Sequence, residues 1–113
     1  MANILRGDIY WADLEPVVGH EQGGRRPVLI ISRTVFNDRS GTVIALAITS
    51  AEPKAGFPFT LELKKTQMGR RAWVKISQVR TLSTKRLAGR LTSCHQTELD
   101  QVILGLNELV SKP

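Results

Sequence analysis

Cysteine and histidine are almost missing from this chain of 113 residues: Cys94, His20 and His95 are the complete set. A lone cysteine closes no intrachain disulfide, and two histidines beside it do not supply a zinc-type ligand cluster. The expectation is a domain without metal or other cofactor. Long apolar runs are missing too. No stretch reaches the roughly 18 uncharged apolar residues of a membrane-spanning helix. The first residues, Met1-Ala2-Asn3-Ile4-Leu5-Arg6, lack the apolar core of a secretory signal. A cytoplasmic chain with no membrane partner is therefore expected. Internal repeats and low-complexity tracts are absent, and 113 residues leave no room for two ordinary domains. One domain spanning 1–113 is expected, with 42% apolar residues to bury a core without staples. Acidic residues are in short supply, 10 against 16 lysines and arginines, for a net charge of +6 and a pI near 10.1. That balance suits an anionic partner, nucleic acid or an acidic protein, without establishing either. The positive charges are spread along the chain rather than gathered in a tail, so a folded surface carries them.

What is present is organised around one stretch, His20-Glu21-Gln22-Gly23-Gly24-Arg25-Arg26-Pro27-Val28-Leu29-Ile30-Ile31-Ser32. A polar loop with two glycines runs directly into an apolar strand, and two arginines sit at the junction. Glycine permits φ > 0 and close approach of another backbone or a ligand. Pro27 forces Arg26 to be extended and suits the first residue of a strand. A guanidinium held where a loop meets a rigid element is a common way to build a phosphate or carboxylate site. Taken alone, the same residues also fit a surface arginine beside a turn.

Elsewhere, apolar and β-branched runs predict strands over 8–14, 28–32, 42–49, 59–63 and 72–76, with 78–81 extended as well. Phe36 to Gly41 reads as a turn, and Ala51 to Pro58 as a loop. The last third changes period. Leu99, Val102, Ile103, Leu106 and Val110 recur at helical spacing, and capping patterns at Ser93 or Thr97 open an amphipathic helix that ends the chain. Short strands with glycine and proline turns indicate a small barrel or sandwich.

At this point the residues become recognisable. Arg6-Gly7-Asp8-Ile9-Tyr10-Trp11, then Gly19 to Ile30, Asn37, Ala47-Ile48-Thr49-Ser50 and Gln78-Val79-Arg80-Thr81 closely resemble the MazF/PemK family of toxin endoribonucleases. The resemblance runs in order over nearly the whole chain. It implies a mainly β fold with α: an SH3-like small β-barrel (the PemK/CcdB-like toxin fold) with a C-terminal amphipathic helix, forming a homodimer. It also implies metal-independent, sequence-selective cleavage of single-stranded RNA, and inhibition by a cognate acidic, MazE-like antitoxin that covers the RNA groove.

Metal-free RNA cleavage uses the ribose 2′-hydroxyl as an internal nucleophile on the adjacent phosphate. It needs a proton acceptor, a proton for the leaving 5′-oxygen, and positive charge on the crowded phosphate. The family's Arg-Pro-Val arginine falls on Arg26, assigned mainly to charge stabilisation and secondarily to proton donation, and its strand-end threonine falls on Thr49, whose hydroxyl suits a hydrogen bond to the phosphate. His20 matches a loop histidine of one plasmid-maintenance branch and is the candidate base, because an imidazole titrates near ~6.5 in its ordinary state. That branch has arginine and aspartate where this chain has Lys75 and Ser77, so an aspartate-based mechanism is in doubt. Arg25, Glu21, Gln22, Gln78 and Arg80 are the expected RNA contacts, and Trp11 and Trp73 are read as packing residues before base-stacking ones. Two rivals stand beside this reading: a gyrase poison, from a related toxin group that shares the fold, and a non-catalytic basic nucleic-acid-binding module.

Overall fold

The computed structural model describes residues 3–16 and 18–113. Six strands form one antiparallel sheet: β1 (Asp8–Asp13), β2 (Arg25–Ile30), β3 (Thr42–Thr49), β4 (Thr60–Glu62), β5 (Trp73–Ser83) and β6 (Leu87–Ser93). Their spatial order is β4-β5-β3-β2-β1-β6. Two helices complete it, α1 (Thr34–Ser40) between β2 and β3, and α2 (Gln96–Val110) after β6. The mainly β architecture with a C-terminal helix is as expected. The sheet stays open between its edge strands β4 and β6 instead of closing through a continuous ladder.

Consecutive residues of the central strands feed two cores. Ile9, Leu29, Leu46 and Ile48 pack with Val74, Ile76 and the α2 residues Leu99 and Val102. Their neighbours Ala12, Val28, Ile30, Val43, Ala45 and Ala47 pack with Leu14 and Leu82 on the other side. A strand covered on both faces is selected as an unbroken apolar run, and for that reason β2 and β3 were plain in the sequence. Helix α2 shows the 3.6-residue period because only one of its faces is covered.

Several expectations are revised. Residues 34–40 form a helix where 36–41 read as a turn, and Gly41 closes it in the left-handed region at φ 69. Asn37 is not a turn residue but a buried tie. Its Nδ2 donates to the carbonyls of Ile4 at 2.9 Å and Ser32 at 3.2 Å, and Ser32 Oγ donates to its Oδ1. The pieces at 72–76 and 78–81 are one strand, β5, interrupted by a bulge. Strand β6 had no sequence signal, because as an edge strand it is mostly exposed and carries Gly89, Arg90 and Thr92 in place of an apolar face. Helix α2 starts at Gln96, within the expected window from Ser93 to Thr97, and its cap is His95, whose Nδ1 accepts from Thr97 N at 3.2 Å.

Strand β2 begins at Arg25, earlier than expected, with Pro27 inside it opposite Trp11. Proline is tolerated there for a geometric reason. Leu14 N donates to Gly24 O, so the bonded pairs of the β1–β2 ladder are the even-numbered ones and Trp11–Pro27 is a non-bonded pair. The missing N–H therefore faces β3, whose ladder with β2 starts only at Val28.

Candidate functional site

The β2–β3 register pairs Val28 with Ala47. Continued two residues past the end of the ladder, it sets Arg26 opposite Thr49, at the point where the two strands splay. The gap is a cleft of about 270 Å³, lined among others by Trp11, Arg25, Arg26, Thr49, Ser50 and Arg70. Met68 and Leu91 supply apolar wall. Three guanidiniums and no carboxylate face it, so the cleft is an anion site by charge count alone. A larger recess of about 590 Å³ lies on the α2 side, but its Lys54, Lys64 and Lys65 are matched by Glu52, Glu62 and Glu98. Volume would favour the recess; charge favours the cleft.

Within the cleft, each polar group is held by the fold. Arg26 is half-buried, and its Nε donates to Gly23 O at 2.6 Å. That bond fixes the plane of the guanidinium and directs the remaining N–H groups outward, in the fork geometry that suits phosphate oxygens. Thr49 is buried at 7% exposure, and its Oγ1 accepts the Ala51 N–H at 3.2 Å. With that acceptor position used, the hydroxyl proton is available to an incoming oxygen. Arg25 is exposed and lies over the Trp11 ring, 6.0 Å from its centroid, a cation–π contact that restrains both. Trp73 is buried, as its packing role required, and Arg71 stacks on it at 4.8 Å. Trp11 instead stands in the cleft wall.

The expected site residues divide into three groups. Arg25, Arg26 and Thr49 come together in the cleft. Gln22, Gln78 and Arg80 are half-buried and meet at the Gln22 backbone: Gln22 N donates to Gln78 Oε1 at 3.1 Å, and Arg80 Nη1 donates to Gln22 O at 3.4 Å. His20 and Glu21 are exposed on the loop between β1 and β2 and do not line the cleft. Glu21 closes a local turn, accepting the Val18 N–H at 2.6 Å, and His20 makes no side-chain hydrogen bond to any described residue. Of the consecutive pair Gly23 and Gly24, only Gly24 uses a positive φ, at 80. Reasoning from sequence missed Arg70 and Lys75. Arg70 enters the cleft from the turn before β5, and Lys75 Nζ donates to Gln22 Oε1 at 3.2 Å. Arg70 has no local signal beyond its charge, and Lys75 was marked only as standing where one family branch has arginine. Among the described residues no three His, Cys, Asp or Glu side chains cluster as metal ligands, and no helix is long and apolar enough to cross a membrane.

The chain is 43% identical to the endoribonuclease MazF of Staphylococcus epidermidis over 112 residues, covering 92% of this chain and 93% of that protein. It is 41% identical to the endoribonuclease EndoA of Bacillus subtilis over 101 residues, covering 88% of this chain and 87% of the relative. Among solved structures, MazF of Deinococcus radiodurans superposes with a TM-score of 0.86 at 31% identity, covering 97% of this chain and 98% of the other. A MazE–MazF structure from the same organism superposes at 0.79 and 31% identity, covering 97% of both chains. The profile of the PemK-like, MazF-like toxins of type II toxin–antitoxin systems matches residues 5–110, and the chain belongs to that family.

Proposed function

We propose that this protein is the endoribonuclease toxin of a type II toxin–antitoxin pair: one domain over 1–113 that works in the cytoplasm as a homodimer. Its substrate is single-stranded RNA, cut at a short preferred sequence without a metal ion. The observation that carries the reading is Arg26 facing Thr49 across a cleft with three arginines and no acid. The family relation and the endoribonuclease relatives supply the reaction class.

In this reading the scissile phosphate sits between Arg26 and Thr49. The 2′-hydroxyl of the preceding ribose gives its proton to the acceptor and its oxygen attacks phosphorus, the bond to the 5′-oxygen breaks, that oxygen takes a proton from Arg26, and the products are a 2′,3′-cyclic phosphate and a 5′-hydroxyl end. Arg26 stabilises the extra negative charge on the crowded phosphorus, where a fixed donor contributes most. Thr49 donates its hydroxyl to a non-bridging oxygen. Arg25 and Arg70 hold the flanking backbone, and the Trp11 face is open to a base. Glu21 and Gln22 contact nucleotides from the loop. Among the described residues no imidazole or carboxylate lines the cleft, so the proton acceptor comes from outside it, and His20, on the loop that leads to Arg26, is our candidate. The partner is an antitoxin, as in the MazE–MazF structures of the Deinococcus relative. An acidic MazE-like segment matches both the net charge of +6 and the cationic cleft.

The test is incubation of purified protein with a long mixed-sequence RNA in EDTA, with 5′ ends mapped by primer extension. Discrete cuts at one recurring sequence are expected, slowed by on the order of 10²-fold in Arg26→Ala, as for loss of a principal charge-stabilising donor. Intact RNA from folded, antitoxin-free protein would refute the reading.

A further inference from the structure

Three polar side chains of β5 reach the loop between β1 and β2, although the β-ladder partner of that strand is β3. The bulge makes this possible. Between the Leu46–Val79 and Ile48–Val74 pairs, two steps along β3 are matched by five along β5. The extra residues re-aim Lys75 and Gln78, as bulges beside functional sites commonly do. Arg80 follows just beyond.

The consequence is a nearly complete hold on the backbone of a glycine-bearing loop. Gln78 Oε1 accepts the Gln22 N–H at 3.1 Å. Arg80 Nη1 bridges the two limbs, donating to Leu14 O at 2.8 Å and to Gln22 O at 3.4 Å. One peptide further on, Gly24 N donates to Glu15 Oε1 at 3.0 Å, and the carbonyl of that same peptide, Gly23 O, receives Arg26 Nε at 2.6 Å. Arg80 is half-buried and does not line the cleft.

We infer that Arg80, assisted by Gln78, is a positioning residue: it holds the loop whose Gly23 carbonyl aims the Arg26 guanidinium, and it does not bind RNA. The inference rests on the reading of Arg26 as the residue that meets the scissile phosphate. Without the brace, two consecutive glycines let the Gly23 carbonyl wander, and a displacement near 1 Å at a reacting centre slows a reaction by about 10²-fold.

The experiment uses an RNA oligonucleotide spanning a mapped cut, and its 2′-O-methyl analogue, which binds but lacks the nucleophile. Arg80→Ala is expected to lower kcat by about 10- to 100-fold while Kd for the analogue changes less than about threefold. The slope of log Kd against log salt should stay that of the wild type, whereas loss of one phosphate contact on a single strand lowers it by about 0.7. Arg80→Lys, which keeps a donor for the Leu14 carbonyl, should recover part of the rate. The double variant Arg26→Ala with Arg80→Ala should be no slower than Arg26→Ala alone, because both act through one guanidinium. A reduced salt slope with unchanged kcat, or additive losses in the double variant, would overturn the inference in favour of a direct RNA contact. Undiminished cleavage by Arg26→Ala alone would instead remove the reading of Arg26 on which it rests. If Arg80→Ala fails to fold, Gln78→Ala releases only the Gln22 N–H and removes no charge. An unchanged kcat in that variant would then overturn the brace.

Discussion

Glu98 offers the sharpest test of how this fold is held. It lies in the first turn of α2 and is only 4% exposed, yet it is a carboxylate. Four donors converge on it: Lys64 N at 2.7 Å and Lys65 N at 3.0 Å on one oxygen, Thr66 N at 2.9 Å and Thr66 Oγ1 at 2.7 Å on the other. Burial pushes the carboxyl up, but the Lys65, Lys64 and Thr66 backbone bonds and the Thr66 hydroxyl outweigh it and hold it below the ordinary carboxylate value. Glu98→Gln keeps the shape and removes one acceptor oxygen. An NH₂ turned toward Lys64 N and Lys65 N leaves both without an acceptor, whereas one turned toward Thr66 strands only the Thr66 N–H, because the hydroxyl can rotate to accept from it. The amide takes the cheaper orientation, and one buried donor left without a partner costs about 1–3 kcal/mol, so about 2 kcal/mol is expected. For a domain of this size that lowers Tm by on the order of 10 °C. The folded state binds the Glu98 proton less tightly than the unfolded chain does. The stability it contributes is therefore complete above the ordinary carboxylate pKa and is lost as pH falls through that value toward the lowered folded one. Urea unfolding followed by tryptophan fluorescence, from pH 7 down to about pH 3.5, should show the gap between wild type and Glu98→Gln narrowing below about pH 4.5. A gap under about 0.5 kcal/mol at pH 7, or one indifferent to pH, would refute the reasoning.

Other outcomes follow from the same contacts. Thr49→Ala removes one hydrogen bond to the phosphate and should slow cleavage about tenfold, with Thr49→Ser near wild type, in single-turnover assays. His20→Gln should lose rate and the acidic limb of the pH–rate profile together; an unaltered limb reassigns His20 to binding. Gly105→Ala would place a Cβ 2.9 Å from Ile76 Cδ1, 3.0 Å from Phe57 Cε2 and 3.2 Å from the Pro58 carbonyl. Overpacking should exceed the helix-propensity gain of about 1 kcal/mol and destabilise the protein by about 1 kcal/mol net in denaturant titrations, despite alanine being the better helix former. Burial pushes the Cys94 thiol up, only partly offset by the Thr66 hydroxyl, so its alkylation at pH 8 should be slower than that of an unfolded control.

Patterns with a short period were legible in the residue order. The unbroken runs of β2 and β3 and the 3.6-residue stripe of α2 are local consequences of which faces are covered, and composition shows them directly. So was membership of the toxin family, because its motifs are spaced signatures along one chain. Helix α1 was hidden by turn-forming residues whose real partners are distant: Asn37 looks like a turn residue until Ile4 and Ser32 are seen to receive its amide. Strand β6 was hidden because an exposed edge strand needs no apolar alternation.

At the site, the order of residues marked Arg26 and Thr49 as a pair to test, but not what stands around them. Their approach depends on the β2–β3 register, which joins residues some twenty positions apart. Arg70 reaches the same cleft from a turn far along the chain, and the β5 bulge turns Gln78 toward the loop, where Arg80 meets it. Whether an arginine faces phosphate or a carbonyl is a matter of long-range register and bulge geometry. Charge and spacing alone carry no record of either.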